Sequence, residues 1–403
     1  MRPPLTALAA TTALALVLGG CAPTPAPQGS PSSAAVASAA HSPAPSSAAT
    51  SAAAPAAKAA ASASLVRWPD NAKIPHIFFH SLVVDPDRAF APSSSAAGIE
   101  QYMVTIGEFR KILQSLYDKG FILVHPQRIA ARDASGVMRW TPLDLPAGKQ
   151  PLILSMDDAS YNKVTIGNGF ADRFTLDAAG HVTNDYTDAA GKTTQGAYDV
   201  PTVLDEFVAA HPDFSFSGDK GTIALTGYEG VLGYRSSPRV YGDNATTQAE
   251  ITKAKAVAAA LKASGWNFAS HSYGHRDYGK IALAELQGDM GRWKADVEPI
   301  IGETPILIYA FGADIEGGNA RYTTSNAKFA YLNGTQGFDY FFNVDGGTPY
   351  WSQLGPTSLR ANRINIDGIT LSRAIEGRQK VLPLFFDAKA VVDPKRPLPT
   401  PGA

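Results

Sequence analysis

The sequence has one cysteine in 403 residues, no excess charge of either sign and no histidine after position 275. No internal repeat of 20–50 residues appears in it either. A single thiol cannot form an internal disulfide, so no covalent framework holds the chain together. With 35 basic against 36 acidic side chains, there is no broad attraction to a phosphate backbone, which argues against a dedicated nucleic-acid binder. The apolar stretch from Leu5 to Gly20 is too short to span a bilayer as a mature helix. What the chain does have is 45% hydrophobic residues, enough for a sizeable core, but its alanines are spread very unevenly. The folded part is therefore shorter than the whole.

Arg2 followed by that short apolar run has the layout of a secretory signal over residues 1–20. The run ends in Leu18-Gly19-Gly20-Cys21, which resembles a bacterial lipobox, and Cys21 is read as the lipidated residue of an exported protein anchored on the outer side of the bacterial cell membrane. Residues 22–64 are almost wholly Ala, Ser and Pro without hydrophobic periodicity, so they cannot bury enough surface to offset chain entropy. As a random coil this linker spans about 35–40 Å on average. A domain on such a tether can sample a polymer layer near the membrane.

From Leu65 the pattern changes to short apolar runs alternating with amphipathic stretches, the mark of an α/β domain running to about residue 388, with a proline-rich tail over 389–403 expected to be loose after Asp393. Strands are expected at Ile74–Val84, Phe121–His125, Pro151–Met156, Thr222–Thr226, Trp266–Ser270, Pro305–Tyr309, Tyr340–Val344 and Arg363–Ile366. Thr105-Ile106-Gly107-Glu108 is a capping box that opens a helix closed by Gly120. Further helices are expected at Pro201–Ala210, Gln248–Ala263 and Ala282–Ile300. Residues 161–199 break the pattern: Asp177-Ala178-Ala179-Gly180 and Asp188-Ala189-Ala190-Gly191 are turn-like tetrads between alternating residues, expected as an inserted β-hairpin region.

Pro151–Met156 delivers Asp157 and Asp158 to a strand's carboxyl end, where α/β folds place ligands. Adjacent carboxylates repel unless a cation intervenes, although such pairs are also common as solvated turn residues. His271 and His275 have a spacing that suits chelation by neutral imidazoles, and equally that of two loop histidines engaged in hydrogen bonds. Taken together, Asp158, His271 and His275 make a two-histidine, one-carboxylate set with room for water and substrate, beside Asp157 as a non-ligating base.

Leu154-Ser155-Met156-Asp157-Asp158-Ala159 resembles the T-F-D-D-G motif of polysaccharide deacetylases, the NodB-homology group of carbohydrate esterase family 4. His271-Ser272-Tyr273-Gly274-His275 is similar to their H-[ST]-x-x-H motif. Ile308-Tyr309-Ala310-Phe311-Gly312 stands where an x-Y-P-x-G motif would lie, with alanine in place of proline. His76-Ile77-Phe78-Phe79-His80, followed by the Phe109–Val124 helix and strand, resembles the branch acting on poly-N-acetylglucosamine. The resemblance covers most of residues 74–370 apart from 161–199. It implies a distorted (β/α) barrel with a metal at the carboxyl ends of the strands. It also implies removal of N-acetyl groups from N-acetylglucosamine-containing extracellular or cell-wall polysaccharide. In that layout Asp157 is the general base, and Asp158, His271 and His275 bind zinc, with Ni2+, Co2+ and Fe2+ the other ions such donors accept. Tyr309 and Phe311 line the sugar subsite. Many members use a late histidine as general acid, and its absence here moves that role to His80 on the first strand. A sugar O-acetyl esterase and a non-catalytic carbohydrate-binding lipoprotein of the same fold are the alternatives. The expected partners are the polysaccharide and the membrane, with no nucleic acid and the oligomeric state open.

Overall fold

The computed structural model describes residues 64–162, 164–318 and 320–403. The expected signal segment, Cys21 and nearly all of the linker lie outside them. Among the described residues seven parallel strands close a barrel: β1 (His76–Phe79), β2 (Gln150–Met156), β3 (Thr222–Leu225), β4 (Asn267–Ser270), β5 (Ile306–Ile308), β6 (Tyr340–Val344) and β7 (Leu359–Asn365). Each pairs with the next in the chain, and β7 returns to β1. The closure is uneven, since β2 and β3 share two residue pairs and β4 and β5 a single one, Ser270 with Leu307. A short strand, Phe121–Leu123, pairs with the first half of β2 instead of β3.

Strand alternation sorts the apolar residues into two layers. Ile153, Ala224, Ala269, Ile306, Ile308, Tyr340, Phe342 and Leu359 fill the barrel. Ile77, Phe79, Leu152, Leu154, Ile223, Leu225, Leu307, Phe341 and Ile364 point outward under the helices. α1 (Ile106–Asp118) shows why those helices form. Thr105 and Glu108 cap each other's backbone as expected, and Phe109, Ile112, Leu113 and Leu116 make the buried stripe. The remaining helices used below are α2 (Val200–Ala210), α3 (Ala245–Ala263), α4 (Leu283–Asp296) and α5 (Gly368–Ile375). α4 stops short of the expected Ile300, and a separate short helix, Glu298–Ile301, follows. Pro299 explains the break, because it lacks the N–H that a continuous helix would use.

Two further expectations change. The first strand ends at Phe79, not Val84, because the Leu82 amide is donated to the Asp199 carboxylate at 2.9 Å and no longer follows a neighbouring strand. The insertion, expected as a β-hairpin region, is a three-stranded antiparallel sheet, Arg173–Leu176, Val182–Thr187 and Thr193–Gly196. Both predicted tetrads are its turns, each closed by aspartate oxygens accepting two amides and by a glycine with positive φ, 84° at Gly180 and 80° at Gly191. The tail is not loose. Arg396 is buried and donates to both oxygens of buried Glu108 at 2.7 and 2.6 Å, and to the Glu100 and Met103 carbonyls. Proline content hid an anchor that one arginine supplies.

Candidate active site

The exit from β2 decides where the two carboxylates point. Asp157 keeps the inward parity of Ile153 and Ser155, and its amide donates to the Phe79 carbonyl at 2.9 Å. Asp158 takes a left-handed backbone, φ 60°, which interrupts the alternation. Adjacent side chains that an extended chain would send to opposite faces thus line one cleft at the carboxyl end of the barrel.

Past β4, the Nδ1 of His271 lies 2.9 Å from the Ile308 carbonyl. A carbonyl only accepts, so the Nδ1 proton is committed and Nε2 is left with its lone pair. The loop then turns through Ser272 and His275, both left-handed at φ 61° and 50°. Buried Asp289 of α4 holds that turn by accepting the Tyr273 and Gly274 amides at 2.8 and 3.0 Å and the Tyr278 hydroxyl at 2.9 Å. His275 Nε2 comes 3.5 Å from Asp158 Oδ2. Burial pushes the His275 imidazole below its ordinary value, against the opposing pull of the Asp158 charge, so it is neutral and can donate a lone pair at pH 7. One donor atom each from Asp158, His271 and His275 lies within 4.8 Å of the other two. This donor set suits a divalent cation of borderline softness.

Asp157 stands outside the set, but it is not free. Arg363 of β7 clamps it with two parallel bonds, Nη1 to Oδ1 at 2.7 Å and Nη2 to Oδ2 at 2.9 Å. Burial pushes the carboxyl up, yet the Arg363 charge and its hydrogen bonds outweigh it and hold it at about 2. An unpaired charge at that depth would cost several kcal/mol, roughly, so the partner is a physical necessity. The guanidinium lies over the Phe78 ring, 4.0 Å from its centroid, and also donates to Ser155 Oγ at 3.3 Å, which meets His76 Nε2 at 2.9 Å. A polar column thus runs from the cleft down into the apolar barrel.

His80 lines the same cleft, with the Phe78 and Tyr102 rings 5.8 and 6.5 Å from its own. The two predicted aromatics part company. Phe311 is 69% exposed in a left-handed conformation, φ 59°, with its ring 4.2 Å from that of His275. Tyr309 is 1% exposed, packed near Phe341, with its hydroxyl 2.7 Å from that of Tyr322. Tyr309 does not line the cleft, and its reading as a sugar contact is withdrawn: strand parity turns it outward, under the helices. Asp367 caps α5 and Asp345 closes a local turn; neither of them bonds a histidine.

Sequence reasoning missed Arg363 and Asp289. Arg363 carried a signal, since it shares the inward parity of Leu359 and Ala361, and a basic residue at an inward position demands a buried acid. Asp289 carried none, because an acidic residue on an amphipathic helix reads as solvated.

No family model matches the sequence, and no curated protein matches it. Among solved structures the chain is similar to the Streptococcus pyogenes deacetylase PplD in complex with acetate. The identity is 16% and the TM-score 0.41, over 79% of this chain and 100% of that one. It is also similar to a protein of Bacillus anthracis described as a polysaccharide deacetylase, BA0330, at 12% identity and a TM-score of 0.36, over 82% of this chain and 70% of that one. At such TM-scores the likeness carries no activity across to this chain.

Proposed function

We propose that the cleft is the active site of a metal-dependent hydrolase that removes N-acetyl groups from N-acetylglucosamine units of an extracellular or cell-wall polysaccharide. One observation carries the reading: a three-donor set and a second carboxylate that the set leaves unused share one cleft. The motif resemblance supports it. Asp158, His271 and His275 would hold a divalent cation, zinc being the natural choice for two imidazoles and a carboxylate, and it would supply Lewis acidity at the acetyl carbonyl and the attacking water. Asp157 accepts the proton of the attacking water. Arg363 occupies one lone-pair direction on each of its oxygens, aiming the other towards the cleft. His80 donates a proton to the nitrogen as the C–N bond breaks, so acetate and a free amine leave. Phe311 offers an aromatic face to a pyranose ring. Cys21, lipidated, would keep the domain within reach of an immobile polymer.

The test is acetate release by the full chain from acetylated chitooligosaccharides or poly-N-acetylglucosamine, with acetylated xylan as the ester comparison. Release should stop on chelation, return with zinc, and fall at least about a hundredfold in both Asp157→Asn and His275→Ala. Full activity in both variants would sink the reaction, and a preference for the ester would reassign the bond that is cut.

A further inference from the structure

The inserted sheet has no part in the donor set, yet it meets the site through one buried carboxylate. Asp199, completely buried, closes the insertion and caps α2. Its Oδ1 accepts the Leu82 amide at 2.9 Å and the Val200 amide at 2.8 Å, and its Oδ2 accepts the Tyr161 hydroxyl at 2.6 Å. Leu82 lies two residues beyond His80 and Tyr161 three beyond Asp158, so one side chain joins the two loops that flank the cleft. Asn184, buried in the middle strand of the insertion, backs the junction. Its Nδ2 donates to the Tyr161 hydroxyl at 3.2 Å, and its Oδ1 accepts from Thr202 Oγ1 at 2.6 Å. The loop needs such a hold, because Asp158 and Tyr161 are both left-handed, with φ of 60° and 51°. Backbone of this kind persists only where its surroundings over-determine it.

We infer that Asp199, reaching Tyr161, is a positioning residue: the insertion is a brace that fixes the His80 loop against the Asp157–Asp158 loop, and is not a sugar-binding module. The inference rests on the proposed reaction for its catalytic readout alone. Neither side chain touches the donor set, so the effect passes through loop placement. Interactions of this outlying kind are typically worth 10- to 100-fold in metal affinity or rate.

Two readouts in the full-length protein test it. Zinc affinity by chelator competition needs no turnover, and kcat with KM is measured on acetylated chitooligosaccharide. Tyr161→Phe removes one hydroxyl and little volume; Asp199→Ala removes the junction; Asp199→Asn retains acceptor capacity. The first two should each weaken zinc about tenfold and lower kcat about tenfold with KM within twofold. Asp199→Asn should restore most of both. In a His80→Ala background the kcat loss from Tyr161→Phe should shrink below twofold, because the group it places is gone. Zinc affinity within twofold of wild type in Tyr161→Phe and Asp199→Ala, or an undiminished kcat loss in the His80→Ala background, overturns the brace. A wild-type protein that binds zinc but releases no acetate overturns the reaction instead, and leaves the zinc comparison to decide the brace.

Discussion

Asp157 in the barrel mouth and Asp199 beneath the inserted sheet are both shielded from water, at 2% and 0% exposure, and their surroundings differ in one respect. Asp157 faces a guanidinium, which drags its carboxyl down to about 2. Asp199 has amides, a phenol and the Ser81 hydroxyl for company, none of them charged, and burial lifts it to about 6. Equal burial therefore produces opposite chemistry: one carboxylate is kept charged and aimed, and the other is poised between charged and neutral as a structural acceptor. Depth alone does not mark a reactive acid; the charge placed against it does.

The strongest way to break the contrast is Asp157→Asn. If Asp157 were a structural acceptor like Asp199, an amide would serve and acetate release would survive. The expectation is a loss of about 10²- to 10⁴-fold in kcat with zinc content unchanged, read by single-turnover assay and metal analysis. The next is Arg363→Met, which strips away the cation and leaves Asp157 stranded. Urea denaturation should show a loss of about 3–5 kcal/mol, largely recovered when Asp157→Asn is added. A third experiment sharpens the comparison through the sign of a slope in chelator-treated protein. The Asp157 carboxyl lies below its unfolded value, so its stabilising contribution is present above pH ~3.8 and fades as pH falls through about 2. The Asp199 carboxyl lies above its unfolded value, so its contribution is present below pH ~3.8 and is lost as pH rises through about 6, on the order of 2–3 kcal/mol. Asp199→Asn should flatten the second limb and leave the first. The smallest effect expected is that of Asp199→Asn at pH 7, within about 1 kcal/mol of wild type by the same denaturation assay, since an amide avoids burying a charge.

Much of this was legible from residue order. The strands around the barrel, the capping box at Thr105, the aspartate-glycine turns of the insertion and the spacing of Asp158, His271 and His275 depend on local chemistry, and local chemistry is written in short windows. What escaped depends on partners far along the chain. Arg363 meets Asp157 only because β7 closes against β1, and Arg396 finds Glu108 only because the tail crosses α1. Tyr309 and Phe311, two residues apart in one motif, took opposite places because strand alternation hides the first while a left-handed turn presents the second. Composition misled once, at the tail, where prolines suggested slack in a segment that a buried ion pair holds.

The uneven closure of the barrel has a mechanical corollary. Asp158 leaves β2, while His271 and His275 leave β4, with β3 between them, and the β2–β3 seam that this donor set spans shares only two residue pairs. A cation gripped by all three side chains would therefore rivet the rim across one of its sparsely laced seams. Chelation should then let amides along β3 exchange with solvent sooner than those on the opposite wall, where β6 and β7 are stitched along their length.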